Sequence, residues 1–236
     1  GARFAYAKNG VKKILYDFPD SSGYSKGYFF LAKIDDSGNL LWSSILKHTS
    51  NNGSSIDGLT ADAQGNVYCA GYYEINLTIN NADGSKFGYL PGSVALFSGY
   101  LIKYNADGKV LWYNTLNSGY EHGDSKFNAA VCDKTGNVYA TGESRGSSAN
   151  QQIVISRSDG MVATDTLNTY LLVKFDSNGK YLWSAGSKGA YYGAGRDLQV
   201  KDNEVFTIGE ISKNGIPTST FEMTSDNHYA DAMTIG

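Results

Sequence analysis

The chain has 236 residues, and 20 Lys plus Arg stand against 23 Asp plus Glu, which gives a formal net charge of −3. This near balance excludes the strongly basic surface of a nucleic-acid-binding protein, and no apolar run in the printed sequence predicts membrane insertion. Gly (28) and Tyr (18) are abundant while Pro (3) is rare, a composition typical of short β-strands joined by tight Gly, Asn and Asp turns.

Short segments of alternating apolar and polar residues, rich in β-branched and aromatic side chains, predict strands along the whole chain. They fall into four types, which we letter a to d. In chain order they are c 28–35, d 40–46, a 56–62, b 66–73, c 100–105, d 109–116, a 129–133, b 137–143, c 170–176, d 180–185, a 197–200, b 204–211 and c 230–235. Turns of four or five residues containing Gly join a to b and c to d, which predicts hairpins.

Two sequence signatures recur with one period of about 70 residues. The first is a Lys, an Asp- or Asn-x-x-Gly turn and a Trp, and its tryptophans, Trp42, Trp112 and Trp183, are 70 and 71 residues apart. The second reads Asp-x-x-Gly-Asn-Val-Tyr-x-x-Gly and closes on Gly71 and Gly142, with a worn copy that closes on Gly209. These repeats divide the chain into units 1–70, 71–141, 142–208 and a partial unit 209–236.

Four antiparallel strands in every repeat predict an all-β fold of the β-propeller type, a single domain over 1–236 made of four-stranded blades. A Trp once per repeat is expected to fill the wedge between neighbouring sheets, although an exposed aromatic binding ladder is the alternative. The chain holds about 3.4 units, whereas closed propellers have about 4–8 blades. The expected partner is therefore either the remainder of a longer parent chain or a second copy that completes the ring.

The pair of signatures resembles the SBBP class of bacterial β-propeller repeats. The resemblance covers essentially the whole chain, most clearly 54–209, and departs from the pattern at Asp202-Asn203-Glu204-Val205, where the turn glycine is absent. It implies a propeller in a secreted or cell-surface protein, with the periplasm as an alternative location, and it carries no common activity. A weaker likeness to quinoprotein-type propeller repeats, which also end in Gly-Lys-x-x-Trp, is one of fold alone.

The sequence offers little catalytic chemistry. Its three histidines form no nucleophile or metal constellation, and no nucleophile elbow, zinc-protease motif or phosphate-binding loop is present. We therefore predict no catalytic residue, no metal and no cofactor, although calcium at the turns Asn81-Ala82-Asp83-Gly84 and Asn105-Ala106-Asp107-Gly108, which lack the full ligand series of a calcium loop, stays open as the alternative. Cys69 and Cys132 lie in apolar strand patterns and are predicted as small buried residues, although a disulfide between neighbouring strands stays open.

The d–a connections are the better candidates for function, because loops on a rigid scaffold commonly carry binding residues and Tyr, Asn and Ser make adaptable recognition surfaces. We predict a non-enzymatic binding or scaffold module that recognises a protein or glycan through the face bearing the d–a and b–c connections. The alternative is a polysaccharide hydrolase or lyase with acidic residues at the central channel. The candidate ligand-binding residues are His48, Asn52, Tyr120, His122, Tyr191, Tyr192 and Arg196.

Overall fold

The computed structural model describes residues 3–17, 26–49, 53–92, 96–119, 123–145, 152–166, 168–188, 192–202, 204–212 and 222–225. Every regular element among them is a β-strand, so the all-β prediction is confirmed. No helix in these ranges is long and apolar enough to cross a membrane. The strands are β1 (Arg3–Lys8), β2 (Val11–Asp17), β3 (Lys26–Ile34), β4 (Leu40–Thr49), β5 (Ser55–Ala61), β6 (Val67–Tyr73), β7 (Asn76–Asn80), β8 (Lys86–Pro91), β9 (Ser98–Tyr104), β10 (Val110–Ser118), β11 (Asp124–Cys132), β12 (Val138–Arg145), β13 (Gln152–Arg157), β14 (Val162–Thr166), β15 (Asn168–Phe175), β16 (Tyr181–Lys188), β17 (Tyr192–Lys201), β18 (Glu204–Ser212) and β19 (Glu222–Ser225).

The strands form antiparallel sheets that follow the sequence repeats. The first sheet has the order β3-β4-β7-β8, the second β14-β13-β10-β9-β6-β5 and the third β11-β12-β15-β16-β19, while β1-β2 and β17-β18 are separate pairs. In the second and third sheets the strands of types a, b, c and d lie side by side in that order, as the repeat predicts. The tight a–b and c–d turns share one end of each sheet. We call the opposite end, which bears the d–a and b–c connections, the loop face.

Each of the three larger sheets also contains strands from the repeat that follows it. The hairpin β7–β8 lies in the chain between strands b and c of the second sheet, β6 and β9, yet β7 pairs with β4 of the first sheet. In the same way β13 pairs with β10, and β19 pairs with β16. The predicted four-stranded sheets are therefore extended at the strand-d edge, where hydrogen-bonding groups would otherwise stay unpaired.

The hydrophobic core lies between consecutive sheets. Buried residues of the first and second sheets form one cluster, including Leu46 and Tyr100, and residues of the second and third form another, including Leu101 and Phe127. Both cysteines are free thiols in this core, and burial raises the pKa of Cys69 and of Cys132 to about 12. They are neutral at physiological pH, as expected for small apolar packing residues.

The hairpin turns depend on residues with positive φ. Gly38, Gly108 and Gly179 hold the c–d turns at φ values of 78°, 80° and 81°. In the third repeat, where the a–b turn has lost its glycine, Asp202 takes φ 55°. Asp is among the few non-glycine residues that adopt this region at small cost, so the turn survives the substitution.

A β-bulge occurs at the same place in all three a–b hairpins, opposite the glycine that closes the second signature. The register shifts between Ile56 and Gly58, between Phe127 and Ala129, and between Gly195 and Asp197. A Cβ on Gly71, Gly142 or Gly209 would lie 2.2, 1.9 or 2.4 Å from a carbonyl oxygen of the bulged strand. The signature glycine is therefore required by close backbone approach at the bulge.

Consecutive sheets are joined by a Lys and a Trp that reach the same carbonyl group, an arrangement we call the clasp. Lys33 Nζ and Trp42 Nε1 donate to the carbonyl oxygen of Ala106, at 3.1 and 2.8 Å. Lys103 Nζ and Trp112 Nε1 donate to that of Ser177, at 2.8 and 3.2 Å. Each acceptor lies in the c–d turn of the following repeat, so Trp42 and Trp112 occupy equivalent places.

The three tryptophans differ in burial. Trp112 is only 6% exposed, whereas Trp42 and Trp183 are half-buried. A Cβ on Gly179 would lie 2.6 Å from Trp112, so the turn glycine of the next repeat makes room for the indole. Trp183 packs edge-on against Tyr139 at 6.0 Å but has no turn of a following repeat beside it among the described residues.

This difference predicts unequal losses of stability. Trp112→Ala removes a buried ring and an interrepeat hydrogen bond and is expected to lower the free energy of unfolding by roughly 3–5 kcal/mol. Trp183→Ala is expected to cost less than half as much, because its ring is already partly in water. Urea unfolding of the two variants measures both, and equal losses would contradict the role given to the clasp.

Candidate functional site

Charged and aromatic side chains from three repeats meet at the loop face and form one continuous contact chain. Strands a and b supply most of them, because the first residues of strand a and the last of strand b lie at this end of each sheet. We call this group the charged–aromatic strip, and its members are Tyr72, Phe97, Lys126, Glu143, Arg145, Tyr192, Arg196 and Glu210.

The first half of the strip centres on Lys126. Its Nζ atom lies 4.6 Å from the ring centroid of Tyr72 and 4.5 Å from that of Phe97, two rings that meet edge to face at 5.1 Å. The same atom lies 3.7 Å from Oε1 of Glu143, whose side chain is 4% exposed. The ammonium group therefore bridges the rings of Tyr72 and Phe97 and a buried carboxylate of the third sheet.

The second half of the strip continues from Glu143 to the pair β17–β18. Arg145 donates to Oε2 of Glu143 through Nη2 at 2.6 Å and through Nε at 3.0 Å. Its guanidinium carbon lies 4.2 Å from the ring centroid of Tyr192. The Tyr192 hydroxyl donates to Oε1 of Glu210 at 2.6 Å, and Arg196 donates to the Tyr192 hydroxyl at 2.8 Å and forms an ion pair with Glu210.

These contacts set the charge states along the strip. The hydrogen bond from Tyr192, together with the Arg196 guanidinium, holds the pKa of Glu210 below its ordinary value. The pKa of Tyr192 is raised, first by burial and then by its bond to Glu210. The strip thus brings three basic side chains, Lys126, Arg145 and Arg196, together with two carboxyl groups, those of Glu143 and Glu210.

A further carboxyl group, that of Asp124, lies beside the strip, paired across the strands with Arg145. Its Oδ1 atom is buried and has no hydrogen-bond partner among the described residues. Burial raises the pKa of Asp124, and Lys126 and Arg145 lower it only in part, while Glu143 raises it further. At the loop face, burial thus disfavours the ionised form of Asp124, whereas hydrogen bonds and the Arg196 guanidinium favour the ionised form of Glu210.

Two of the predicted site residues, Tyr192 and Arg196, are in direct contact within the strip. Arg196 is exposed and is the residue that the β17 bulge sets outside the regular pairing, which turns its side chain towards Glu210. Four other candidates, Asn52, Tyr120, His122 and Tyr191, lie outside the described residues.

His48 was expected in a connection but belongs to strand β4, which runs to Thr49. Its ring stacks on Phe29 with centroids 4.4 Å apart, and a Cβ on Gly27 would lie 1.9 Å from its Nε2 atom. Burial lowers the pKa of His48, so the imidazole is neutral at physiological pH. The structure therefore places His48 in the packing of the first sheet, apart from the strip.

Sequence reasoning missed Tyr72, Glu143 and Glu210, since it assigned strand b to the scaffold. A signal was present directly after the closing glycines, where Gly142 and Gly209 are each followed by Glu, while Gly71 is followed by Tyr72. Buried strands seldom contain a carboxylate, so a Glu in an apolar strand, at a position that differs between the repeats, indicates a residue that is not there for packing alone.

Within the described ranges no group of three or more His, Cys, Asp or Glu residues is arranged to hold a metal ion. The Asn and Asp side chains of the turns accept hydrogen bonds from their own turns instead. Asn105 Oδ1, for example, accepts from the backbone N–H groups of Asp107 at 3.0 Å and Lys109 at 2.8 Å.

Comparison of the sequence with models of known protein families finds no match, and comparison with curated proteins finds none either. The assignment of a function therefore rests on the geometry of the loop face.

The raised pKa of Asp124 predicts a pH dependence. The folded state favours the protonated carboxyl group, so this residue destabilises the fold at neutral pH, and the penalty fades as the pH falls through its folded pKa towards 3.8. Asp124→Asn is therefore expected to raise the melting temperature at pH 7 and to change it little near pH 4. Scanning calorimetry at both pH values tests this, and a less stable variant at pH 7 would show that the carboxylate is needed.

Proposed function

We propose that the sheets are blades of a β-propeller, and that the protein is a secreted or cell-surface protein of the kind its resemblance to SBBP repeats implies. The regular a–b–c–d order supports this, as do the clasps that join consecutive sheets in the same way. Strands a of neighbouring repeats also approach closely, since a Cβ on Gly58 of β5 would lie 2.9 Å from the backbone nitrogen of Ala130 in β11.

We further propose that the protein is a non-enzymatic binding or scaffold module, which recognises its partner through the loop face. The observation that carries this proposal is the strip, which crosses three repeats at positions that differ between them. Tyr72, Glu143 and Glu210 occupy one equivalent position, directly after the closing glycine. The glycine recurs because the bulge requires it, whereas the bulge does not fix the next residue, which differs between the repeats.

The composition of the strip favours a protein surface or a neutral glycan as the ligand. With Asp124 included, three cations face three carboxyl groups, so a polyanionic chain gains no net attraction. Half-buried Tyr72, Phe97 and Tyr192 supply rigid aromatic area, and Arg196 is exposed beside them. Aromatic residues and Arg dominate the energetics of protein interfaces.

A hydrolase or lyase that uses acidic residues is the second candidate, and Asp124 is the observation that favours it. A carboxyl group whose pKa is raised by burial, close to a second carboxyl group, is a common arrangement for a general acid. Against it, Glu143 is engaged by Lys126 and Arg145 and its side chain is 4% exposed, so its carboxylate is poorly placed to meet a substrate.

Variants of the strip separate the two candidates in a screen of immobilised peptides and neutral polysaccharides that records both binding and product release. Arg196→Ala and Tyr192→Ala are each expected to weaken binding by about tenfold or more, because contact residues of this kind often contribute over 1 kcal/mol. Their melting temperatures are expected to stay close to that of the parent chain.

Lys134→Ala is the matched control, since Lys134 is an exposed cation in an ion pair with Asp202 at the a–b turns, away from the loop face. Equal binding by all three variants would show that the strip is not part of the binding site. Product release that is lost in Asp124→Asn while binding is kept would favour the enzyme instead.

A further inference from the structure

Two strands at opposite ends of the array present an open edge. The first sheet has strands of types c and d without a and b, whereas β17–β18 is a pair of types a and b without c and d. In the second and third sheets strand b pairs with strand c, as β6 with β9 and β12 with β15. Among the described residues neither β3 nor β18 has this neighbour, so the backbone hydrogen-bonding groups along that edge can accept another strand.

A row of side chains crosses strands b, c and d of the second and third sheets. In the second sheet Lys103 Nζ lies 4.9 Å from the ring centroid of Tyr68, and that ring meets Trp112 edge-on at 5.9 Å. The three residues are cross-strand neighbours. The third sheet repeats both contacts, at 4.9 and 6.0 Å, with Tyr139, Lys174 and Trp183.

The same row is divided between the two open ends. The first sheet supplies Lys33 and Trp42 as cross-strand neighbours, but within the described ranges it has no strand b to carry the ring. Strand β18 carries the ring, since Phe206 stands at the position of Tyr68 in the second signature. Phe206 is 55% exposed. Each end thus holds the part of the row that the other lacks.

Leu59 of the second sheet lacks the cover that its equivalents have. It is the second residue after the bulge of its hairpin, as Ala130 and Leu198 are in theirs. Ala130 is buried in one cluster with Tyr68 of the preceding sheet, and Leu198 is buried in one with Tyr139. Leu59 is 65% exposed, although its position in the repeat is the same.

Strand β18 offers the apolar surface that Leu59 lacks. Ile208 is 67% exposed and lies two residues from Phe206, so the two side chains project from the same face of the strand. Their equivalents in the second sheet, Ala70 and Tyr68, are buried against the third sheet. One face of β18 would therefore cover Leu59 while the edge of β18 pairs with β3.

We propose that two copies of the chain form a head-to-tail dimer in which β18 of each copy pairs with β3 of the other. In one chain the two strands belong to different sheets, so a second copy supplies the missing neighbour. The register of the other b–c pairs aligns Phe206 with Lys33 and Thr207 with Ala32. The row of the first sheet is then complete.

The dimer has six complete sheets, because each copy contributes its own second and third sheets and the two joints form two more. Six lies within the range of about 4–8 blades in closed propellers, and a two-fold axis makes the two joints identical. The inference rests on the proposed propeller arrangement and does not depend on what the strip binds.

The strand of type c predicted at 230–235 is the competing partner for β18, and it lies outside the described residues. These six residues include neither Lys nor Trp, so they cannot supply the part of the row that Lys33 and Trp42 supply. The chemistry of the row therefore favours the first sheet of a second copy.

Cysteine cross-linking tests the pairing and its register. Ala32→Cys and Thr207→Cys place one thiol on each side of the joint, where paired side chains lie within the span of a disulfide. An equimolar mixture of the two single variants, left to exchange and then mildly oxidised, is expected to give a covalent dimer that neither variant gives alone. No covalent dimer in the mixture would overturn the proposal. A covalent dimer from Thr207→Cys alone would overturn it too, since β18 would then pair with β18 of another copy.

Sedimentation velocity over a range of concentrations measures the strength of the dimer. Ile208→Asp places an unpaired charge in the joint and is expected to weaken dimerisation by about a hundredfold or more. Val162→Asp is the matched control and is expected to leave dimerisation unchanged, since Val162 is 61% exposed on β14, at the other edge of the second sheet from β5. Equal weakening by both variants would contradict the joint.

Failure of the dimer can be told apart from failure of the propeller. If the parent chain stays monomeric while Trp112→Ala still costs more stability than Trp183→Ala, the stacked sheets remain and the joint alone is overturned. If that difference is also lost, the propeller arrangement is contradicted as well.

Discussion

The clasp, in which a Lys and a Trp of one sheet donate to a single turn carbonyl of the next, is the interaction on which the arrangement of the repeats depends. The two side chains are cross-strand neighbours, Lys33 with Trp42 and Lys103 with Trp112, so one hairpin presents both donors together. Lys103 is almost fully buried, and leaving its charge without an acceptor would be costly. The clasp thus fixes the position of consecutive sheets by hydrogen bonding, while the apolar core between them supplies the bulk of the stabilisation.

Much of the fold follows from local sequence, because hairpins and turns are encoded over a few residues. The c–d and a–b hairpins lie where the signatures predict them, and Asp202 takes the place of a turn glycine by adopting a positive φ. The pairing partners of β7 and β13 could not be predicted, since an edge can accept any strand of suitable register. Period-two alternation shows which face of a strand is buried and does not show which sheet it joins.

The candidate site was predictable in part for the same reason. Tyr192 and Arg196 follow a connection and could be recognised as loop-face residues. Lys126, Glu143 and Arg145 lie inside strands, and only the meeting of three sheets brings them to Tyr72 and Tyr192. Burial of Glu143 depends on cations from its own sheet, while the rings beneath those cations come from its neighbours. Contacts between residues so far apart in the sequence cannot be predicted from the pattern of any single strand.

The exchange of hairpins between repeats also makes the folding unit different from the unit of sequence. A segment cut at the repeat boundaries would leave its own strand d with an open edge and would carry a hairpin with no sheet to join. Neighbouring repeats are therefore joined through a shared sheet. If one repeat unfolds, its hairpin leaves the preceding sheet and exposes the strand-d edge of that sheet. Unfolding is therefore expected to be more cooperative along the array than in repeats that only stack on one another. An insertion or deletion that preserves the fold would have to add or remove a whole sheet together with the hairpin that the next repeat contributes to it.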